Sequence, residues 1–318
     1  MAKTAFLFPG QGSQYVGMGR DLYEAFPEAR ACFEAADALL EFPLTQLKFG
    51  VGGDADAEAE ALKQTDVTQP AIYAHSMAVM AVLEKHGLKP DMTAGHSLGE
   101  YSALAAAGAI RFEDGLRIVR LRGQLMAEAG QKRPGTMAAI LGLSDEDVEH
   151  LCLEASEGDH YAHPANFNAP GQIVVSGDVR AVYRAIALAK ERGARRALPL
   201  SVSGAFHSPL MDYARDGLAR ALIKLDIQEP RCPVYLNVTA APTTTPIEIR
   251  ERLLEQLMAP VMWAQTLEHM HADGARRFVE VGPGKVLTGL LRRTLGRDLD
   301  TTTAGKANEL QGLAEAVG

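Results

Sequence analysis

Met92-Thr93-Ala94-Gly95-His96-Ser97-Leu98-Gly99-Glu100-Tyr101 is the stretch on which the reading of this chain turns. Met92 to His96 is short and apolar, and Glu100 to Ala107 is alanine-rich with high helix propensity until Gly108. This pattern predicts a strand, a sharp turn and a buried helix. Gly95-His96-Ser97-Leu98-Gly99 has the form G-x-S-x-G, in the strand-to-helix context that a serine nucleophile requires. The glycines matter because a tight turn strains the backbone at the serine and leaves no room for bulky neighbours. Ser97 then stands at a helix N-terminus, where the Leu98 N–H and the positive end of the helix dipole can face a developing oxyanion.

Outward from this turn the chain alternates strands and helices. Thr4 to Phe8 reads as a buried strand running into a polar loop, Pro9-Gly10-Gln11-Gly12-Ser13-Gln14. Helical patterns cover about Arg20 to Leu40 and Gln69 to His86. The texture changes near Pro134. Strands are expected at Gly135–Leu143, near His160–Asn166, at Gln172–Ser176 and at Arg196–Leu200, with helices at Ser144–Ser156 and Asp178–Arg192. Ser144 with Asp147 three residues on is a helix-start signal. The order is a β-α-β-β-α-β unit of about 70 residues, read as an insertion. Strands at Pro233–Asn237 and Phe278–Val281 then resume the main body. The tail after Arg297 carries no motif and receives no role, and Asp54, Asp56, Glu58 and Glu60 read as a solvated acidic face. The fold class is therefore α/β with an inserted α+β unit.

Composition narrows the function classes. The 318 residues are 47% hydrophobic and 23% charged, which is ordinary globular usage. Thirty-two Lys and Arg against 40 Asp and Glu leave −8, so neither a general nucleic-acid binder nor a surface adsorbed to anionic lipid is expected. Cys32, Cys152 and Cys232 are far apart with no C-x-x-C, which gives a thiolate metal site or a disulfide framework no support. The longest apolar stretch, Ala103 to Ile110, is far below the ~20 residues of a membrane helix. A soluble protein of a reducing cytoplasm is expected.

A serine nucleophile needs a base, and there are nine histidines to sort. His207 lies in Gly204-Ala205-Phe206-His207-Ser208-Pro209, a loop after a predicted strand, where catalytic side chains are commonly presented. His96 adjoins Ser97 but should point away across the turn, and His75 and His86 belong to a helix. His160 with His163 and His269 with His271 have loose metal-like spacing but no clustered thiolate or carboxylate, so they read as solvated. The sequence favours His207 without proving it.

Four motifs in order match a known family: Phe8-Pro9-Gly10-Gln11-Gly12-Ser13-Gln14, Gly95-His96-Ser97-Leu98-Gly99-Glu100-Tyr101, Ala205-Phe206-His207-Ser208-Pro209-Leu210-Met211 and Glu280-Val281-Gly282-Pro283-Gly284. Together they resemble the malonyl-CoA:acyl carrier protein transacylases of bacterial fatty-acid synthesis, over about residues 4 to 297. The resemblance implies a hydrolase-like α/β body at 1–132 and 202–318, interrupted by a small ferredoxin-like domain at 133–201. It implies Ser97 as the acyl-accepting nucleophile, His207 as its base, a carbonyl at Gln256 that orients the base, and backbone N–H groups of Gln11 and Leu98 as oxyanion donors. It further implies that Arg122 holds the malonyl carboxylate and that Phe206 selects malonyl over branched acids. Gln69 and Asn168 are carried over as pocket residues, although structural polar contacts fit them as well.

The implied partners are malonyl-CoA and holo acyl carrier protein, the implied ping-pong transfer uses no metal or redox cofactor, and a monomer is expected. Carrier proteins of that family are acidic, so docking on this acidic chain needs local basic ground. Arg195 and Arg196 close the insertion, and Arg292 and Arg293 follow the Gly282-Pro283-Gly284 turn. A hydrolase that clears misloaded acyl groups, a relative that loads a methyl-branched malonyl unit and a non-catalytic docking module are the competing readings. Arg122 weighs against the first, Phe206 against the second, and an intact nucleophile, base and arginine against the third.

Overall fold

The computed structural model describes residues 2–40 and 42–315. Ten strands appear in that part: β1 (Lys3–Phe8), β2 (Met92–Gly95), β3 (Gly135–Leu141), β4 (Ala162–Ala169), β5 (Gln172–Asp178), β6 (Arg196–Pro199), β7 (Val234–Tyr235), β8 (Pro242–Thr243), β9 (Ala275–Val281) and β10 (Asp300–Ala304). Six of them form one sheet, ordered β10-β9-β1-β2-β7-β8, with every neighbouring pair parallel except β7–β8. A parallel sheet is covered on both faces, and β1 divides its side chains accordingly. Phe6 and Phe8 enter the larger core with the Thr65–Lys85 and Phe112–Lys132 helices, while Ala5 and Leu7 pack with Trp263, Leu267 and Leu291 on the other side.

The second sheet, β4-β5-β3-β6, is antiparallel and has the expected β-α-β-β-α-β chain order. Its pleat separates two jobs. Ile140, Ile173, Val175 and Ala197 join Val148, Leu151, Val182 and Ala185 from the Asp145–Ala155 and Val179–Glu191 helices in a core of their own. Met137, Asn166, Asn168, Gln172 and Val174 turn to the opposite face, over a cavity at the C-terminal ends of β1 and β2. Ser144 caps its helix as the sequence suggested, accepting the Asp147 N–H at 3.1 Å.

Four expectations need correction. The segment Arg20–Leu40 is two helices, Arg20–Ala25 and Pro27–Leu40, because Phe26 precedes a proline and is held extended. The helix expected from Gln69 begins at Thr65 and carries Pro70 inside it. Pro70 has no N–H for the Asp66 carbonyl, and the Arg120 guanidinium takes that oxygen instead while pairing with the Asp66 carboxylate at 2.8 Å. The tail after Arg297 has a structural role: β10 is the edge strand beside β9, and Leu310 of the following Ala307–Glu315 helix is buried. Its Thr301-Thr302-Thr303 run has too little apolar alternation to announce a strand. Glu58, assigned to the solvated acidic face, is buried and accepts the Gly52 N–H.

Candidate active site

Ser97 stands at the end of β2 with φ 51°, and only His207 and Ala240 share a positive φ among the described non-glycine residues. Such a backbone costs on the order of 1–3 kcal/mol and persists only where its surroundings hold it. A Cβ at Gly95 would lie 1.9 Å from the Gly99 carbonyl carbon, and one at Gly99 would lie 2.0 Å from the Phe8 oxygen. Strand, turn and helix therefore close on each other and on β1 with no room for a side chain at either glycine.

Polar side chains hold the serine in place. Asn237, just beyond β7, accepts the Ser97 N–H at 2.7 Å and donates from Nδ2 to the Gly95 carbonyl at 2.6 Å. Gln256, at the end of the Pro246–Glu255 helix, donates from Nε2 to the Ser97 carbonyl at 2.9 Å. Behind both, Glu100 Oε2 accepts the Asn237 backbone N–H at 2.9 Å and Gln256 Nε2 at 3.1 Å. Burial raises the Glu100 carboxyl to about 7, against these hydrogen bonds and the nearby Arg122, which pull it down. Asn237 and Glu100 were not singled out from sequence. Asn237 only ended a predicted strand, and Glu100 only belonged to the serine motif; their meeting is a long-range event.

His207 lies in the loop before the Pro209–Met211 turn, where Ser208 Oγ donates to the Ala205 carbonyl at 2.6 Å. Its Nε2 is 2.7 Å from Ser97 Oγ, and its Nδ1 is 2.8 Å from the backbone carbonyl of Gln256. A carbonyl only accepts, so Nδ1 carries the proton and Nε2 offers its lone pair to the serine hydroxyl. Burial first, and then the Arg122 charge, lower the His207 pKa to about 3. The imidazole is neutral at pH 7, the form a base needs. His96 turns away from Ser97, as expected, to bond Asn168 Oδ1 from Nε2 at 2.7 Å.

Arg122 comes from the middle of the Phe112–Lys132 helix and is 1% exposed. One terminal nitrogen, Nη2, donates to Gln256 Oε1 at 2.9 Å and to Ser97 Oγ at 3.2 Å, and Nη1 donates to Gln69 Oε1 at 2.9 Å. No carboxylate touches this guanidinium among the described residues. Burial lowers its pKa, but arginine keeps its proton in proteins, so a cation lies beside the serine oxygen.

Gln11, Ser97, Leu98, Arg122, Asn168, Phe206 and His207 share the wall of one cavity of about 240 Å³. The Leu98 and Gln11 N–H groups take no protein acceptor among the described residues. Gly10 lets the Gln11 loop rest on the serine turn, since a Cβ there would meet the His96 carbonyl at 2.4 Å. Gln69 departs from its expected place. It is buried behind Arg122 and does not reach the cavity.

Of the arginines expected to dock the carrier, one reaches the cavity edge and two more stand at the same end of the small sheet. Arg293 Nη1 donates to Gln172 Oε1 at 2.9 Å, and Gln172 lines the cavity. Register places Gln172 opposite Leu141 and Leu141 opposite Arg196, so Arg196 is two strands away on the same face, at about 10 Å between Cα atoms. Arg195 adjoins Gly142 at the same end of the sheet. Arg292 instead bonds Thr301 Oγ1 at 2.8 Å, on the β10 side.

A serine, a neutral histidine, two N–H groups without a protein acceptor among the described residues and a buried arginine on the wall of one cavity can together carry out acyl transfer. Comparison with known proteins gives the same class. The acyl transferase domain family matches residues 5–313. A malonyl CoA-acyl carrier protein transacylase of Bacillus subtilis (strain 168) is 46% identical over 92% of this chain and 90% of its own length. The chain belongs to the malonyl CoA-acyl carrier protein transacylase family. A transacylase of that name from Escherichia coli (strain K12) is 45% identical over 100% of this chain and 99% of its own. Among solved members, an acyl carrier protein S-malonyltransferase from Vibrio cholerae superposes with TM-score 0.91 at 43% identity, covering 98% of this chain and 100% of that one. A malonyl-transacylase in complex with a holo type II PKS acyl-carrier protein gives TM-score 0.93 at 40% identity, covering 99% and 100%.

The family's α/β fold with two subdomains is the fold described above. Among the described residues no cluster of three or more His, Cys, Asp or Glu side chains is placed to hold a metal ion, and no helix is long and apolar enough to cross a membrane.

Proposed function

We propose that this chain moves a malonyl group from malonyl-CoA to the phosphopantetheine thiol of holo acyl carrier protein, through an ester on Ser97. Ser97 Oγ attacks the thioester carbon while its proton passes to His207 Nε2. The oxyanion forms between the Leu98 and Gln11 N–H groups, donors already fixed before charge develops. Collapse breaks the C–S bond, and coenzyme A leaves with the proton that His207 returns. The carrier thiol then repeats the steps in reverse on the malonyl-serine ester. The Gln256 carbonyl fixes the imidazole tautomer, although a neutral acceptor stabilises the imidazolium less than a carboxylate would.

The observation that carries this reading is Ser97 Oγ between His207 Nε2 at 2.7 Å and Arg122 Nη2 at 3.2 Å. A buried guanidinium beside the nucleophile, with no carboxylate upon it among the described residues, is arranged to take one from the acyl group. Arginine suits that partner because its planar fork can pair with both carboxylate oxygens. Phe206 on the cavity wall crowds a branch at the acyl α-carbon. Asn168 holds His96 at the opposite wall, and Gln69 acts through Arg122.

We further assign residues 1–132 and 202–318 to a catalytic body and 133–201 to an insertion, and place carrier docking at the rim of Arg195, Arg196, Arg292 and Arg293. We propose also that the chain works as a monomer in the cytoplasm. Intact mass after mixing with malonyl-CoA, then with holo acyl carrier protein, tests the proposal. A malonyl adduct that disappears onto the carrier is expected. No adduct, or an adduct lost only to water, overturns it.

A further inference from the structure

Glu100 is fully buried beneath the serine turn, yet the reaction as derived gives its carboxylate nothing to do. Oε2 is satisfied by the Asn237 N–H and Gln256 Nε2, whereas Oε1 is buried without a hydrogen-bond partner among the described residues. A buried polar atom left open needs an explanation. Arg122 supplies one. The Gln256 side chain lies between the two charges, with Nε2 on Glu100 and Oε1 on Arg122 Nη2 at 2.9 Å. Among the described residues no carboxylate touches this buried cation, and Glu100 is the carboxylate whose charge acts on it.

Few other groups act on Glu100. Tyr101 follows it on its own helix, and Arg122 comes from the Phe112–Lys132 helix. The neighbouring Thr65–Lys85 helix presents the neutral Gln69 to Arg122, and β1 and β2 carry no titratable side chain near the turn. The chain beyond β7 and the chain beyond the Pro246–Glu255 helix bring Asn237 and Gln256, both amides. His207 and His96 lie across Ser97 and are held neutral by burial.

Building on the proposed malonyl transfer, we infer that Glu100 is a positioning residue that serves as the internal counter-anion of Arg122 and takes up a proton when the malonyl carboxylate reaches that arginine. A malonyl group brings a second anion to a buried site with one cation. Its carboxylate pairs directly with the guanidinium and cancels the field that kept Glu100 ionised. Protonation of Glu100 from solvent restores neutrality, and the open Oε1 can accept that proton without breaking either hydrogen bond at Oε2. An acetyl group brings no charge and leaves Glu100 as it was. In the empty site the carboxyl already lies near 7, so a modest further rise shifts its protonation at neutral pH.

Proton uptake is the direct test. Acylation by either thioester is otherwise proton-neutral below about pH 8, because coenzyme A leaves as the thiol. Single-turnover mixing of the full chain in weak buffer with a pH indicator at pH 7.5 is expected to show about half a proton taken up per malonyl-enzyme, and close to none with acetyl-CoA. Glu100→Gln, which imitates the protonated acid, is expected to abolish the uptake. It is also expected to lower the KM for malonyl-CoA several-fold at pH 8, where damage to a scaffold would raise it. If that variant does not fold, infrared difference spectra of wild-type protein carrying 13C-labelled glutamate serve instead: malonyl loading, but not acetyl loading, should bring up an isotope-shifted protonated-carboxyl band.

Equal uptake with both acyl groups, uptake retained in Glu100→Gln, a raised KM, or no labelled band overturns the inference. Intact mass on the same samples separates the two levels. A malonyl adduct without proton uptake defeats only the role of Glu100, whereas no adduct defeats the transfer reaction itself.

Discussion

The floor and the roof of the cavity are built by different rules. On the floor, Ser97, His207 and Arg122 are tied to Asn237, Gln256 and Gln69 by buried hydrogen bonds that leave little freedom. On the roof, one face of the small sheet presents Asn166, Asn168, Gln172 and Val174, and its partners across the cavity include a single side-chain bond from His96 to Asn168. Near the rim, Arg293 meets Gln172 in a contact open to water. A buried network fixes positions to fractions of an ångström, which bond-making needs. An exposed surface is screened and adaptable, which suits a partner that must arrive and leave.

If that contrast holds, damage should shrink from floor to rim. Ser97→Ala is expected to abolish the acyl-enzyme outright, and a stable malonyl adduct on that variant in intact-mass spectra would defeat the assignment. His207→Ala should slow adduct formation by ~100-fold or more, the scale of losing a general base. Rapid-quench acylation rates measure it, and a loss of only a few-fold would move the base elsewhere.

Arg122→Ala sharpens the comparison by separating charge from geometry. Transfer of malonyl should weaken by at least ~2 kcal/mol, because a desolvated carboxylate loses its charged partner, while acetyl transfer suffers much less. Equal losses with the two thioesters would make Arg122 a packing residue. Next in size is Phe206→Ser, which relaxes the wall rather than the floor. A methyl group in an apolar pocket is worth about 1–3 kcal/mol, so competition between malonyl-CoA and methylmalonyl-CoA should shift toward the branched acid without reversing completely. An unchanged product ratio would remove Phe206 from selectivity.

The smallest and most selective effect belongs at the rim. Arg292→Glu with Arg293→Glu is expected to raise the KM for acyl carrier protein, with Ser97 acylation by malonyl-CoA nearly unchanged. Added salt should act on the wild type in the same sense, since exposed charges are screened over about 8–10 Å. Steady-state kinetics varying each substrate separately decide it. Losses in both half-reactions would mean that the two arginines support the fold through Gln172 and Thr301.

Much of the floor was legible because its signals are local. Gly95 and Gly99 announced a turn, and the structure shows why each excludes a side chain. His207 stood out by its loop, and the arrangement of strands and helices between Gly135 and Pro199 followed from local pattern, with the Ser144 and Asp147 helix start among its signals. What escaped was relational. Gln69 was expected at the cavity wall and stands behind Arg122, because a buried cation needs its own acceptors. Asn237 and Glu100 carry no motif of their own, and Glu58 looked like any residue of an acidic run.

The sequence by itself determined which residue types meet a strained turn and the order of strands and helices between Gly135 and Pro199. Tertiary structure alone decided that Asn237, 140 residues from Ser97, braces its backbone, and that Gln256, whose carbonyl the family resemblance already assigned to His207, also serves Arg122, 134 residues away, with its side chain. Only the fold also separated Glu100 from Arg122 by one amide. Local sequence encodes the backbone shape of each element; the field at a reacting atom is summed over everything that packs around it, and that sum exists only once the chain has closed.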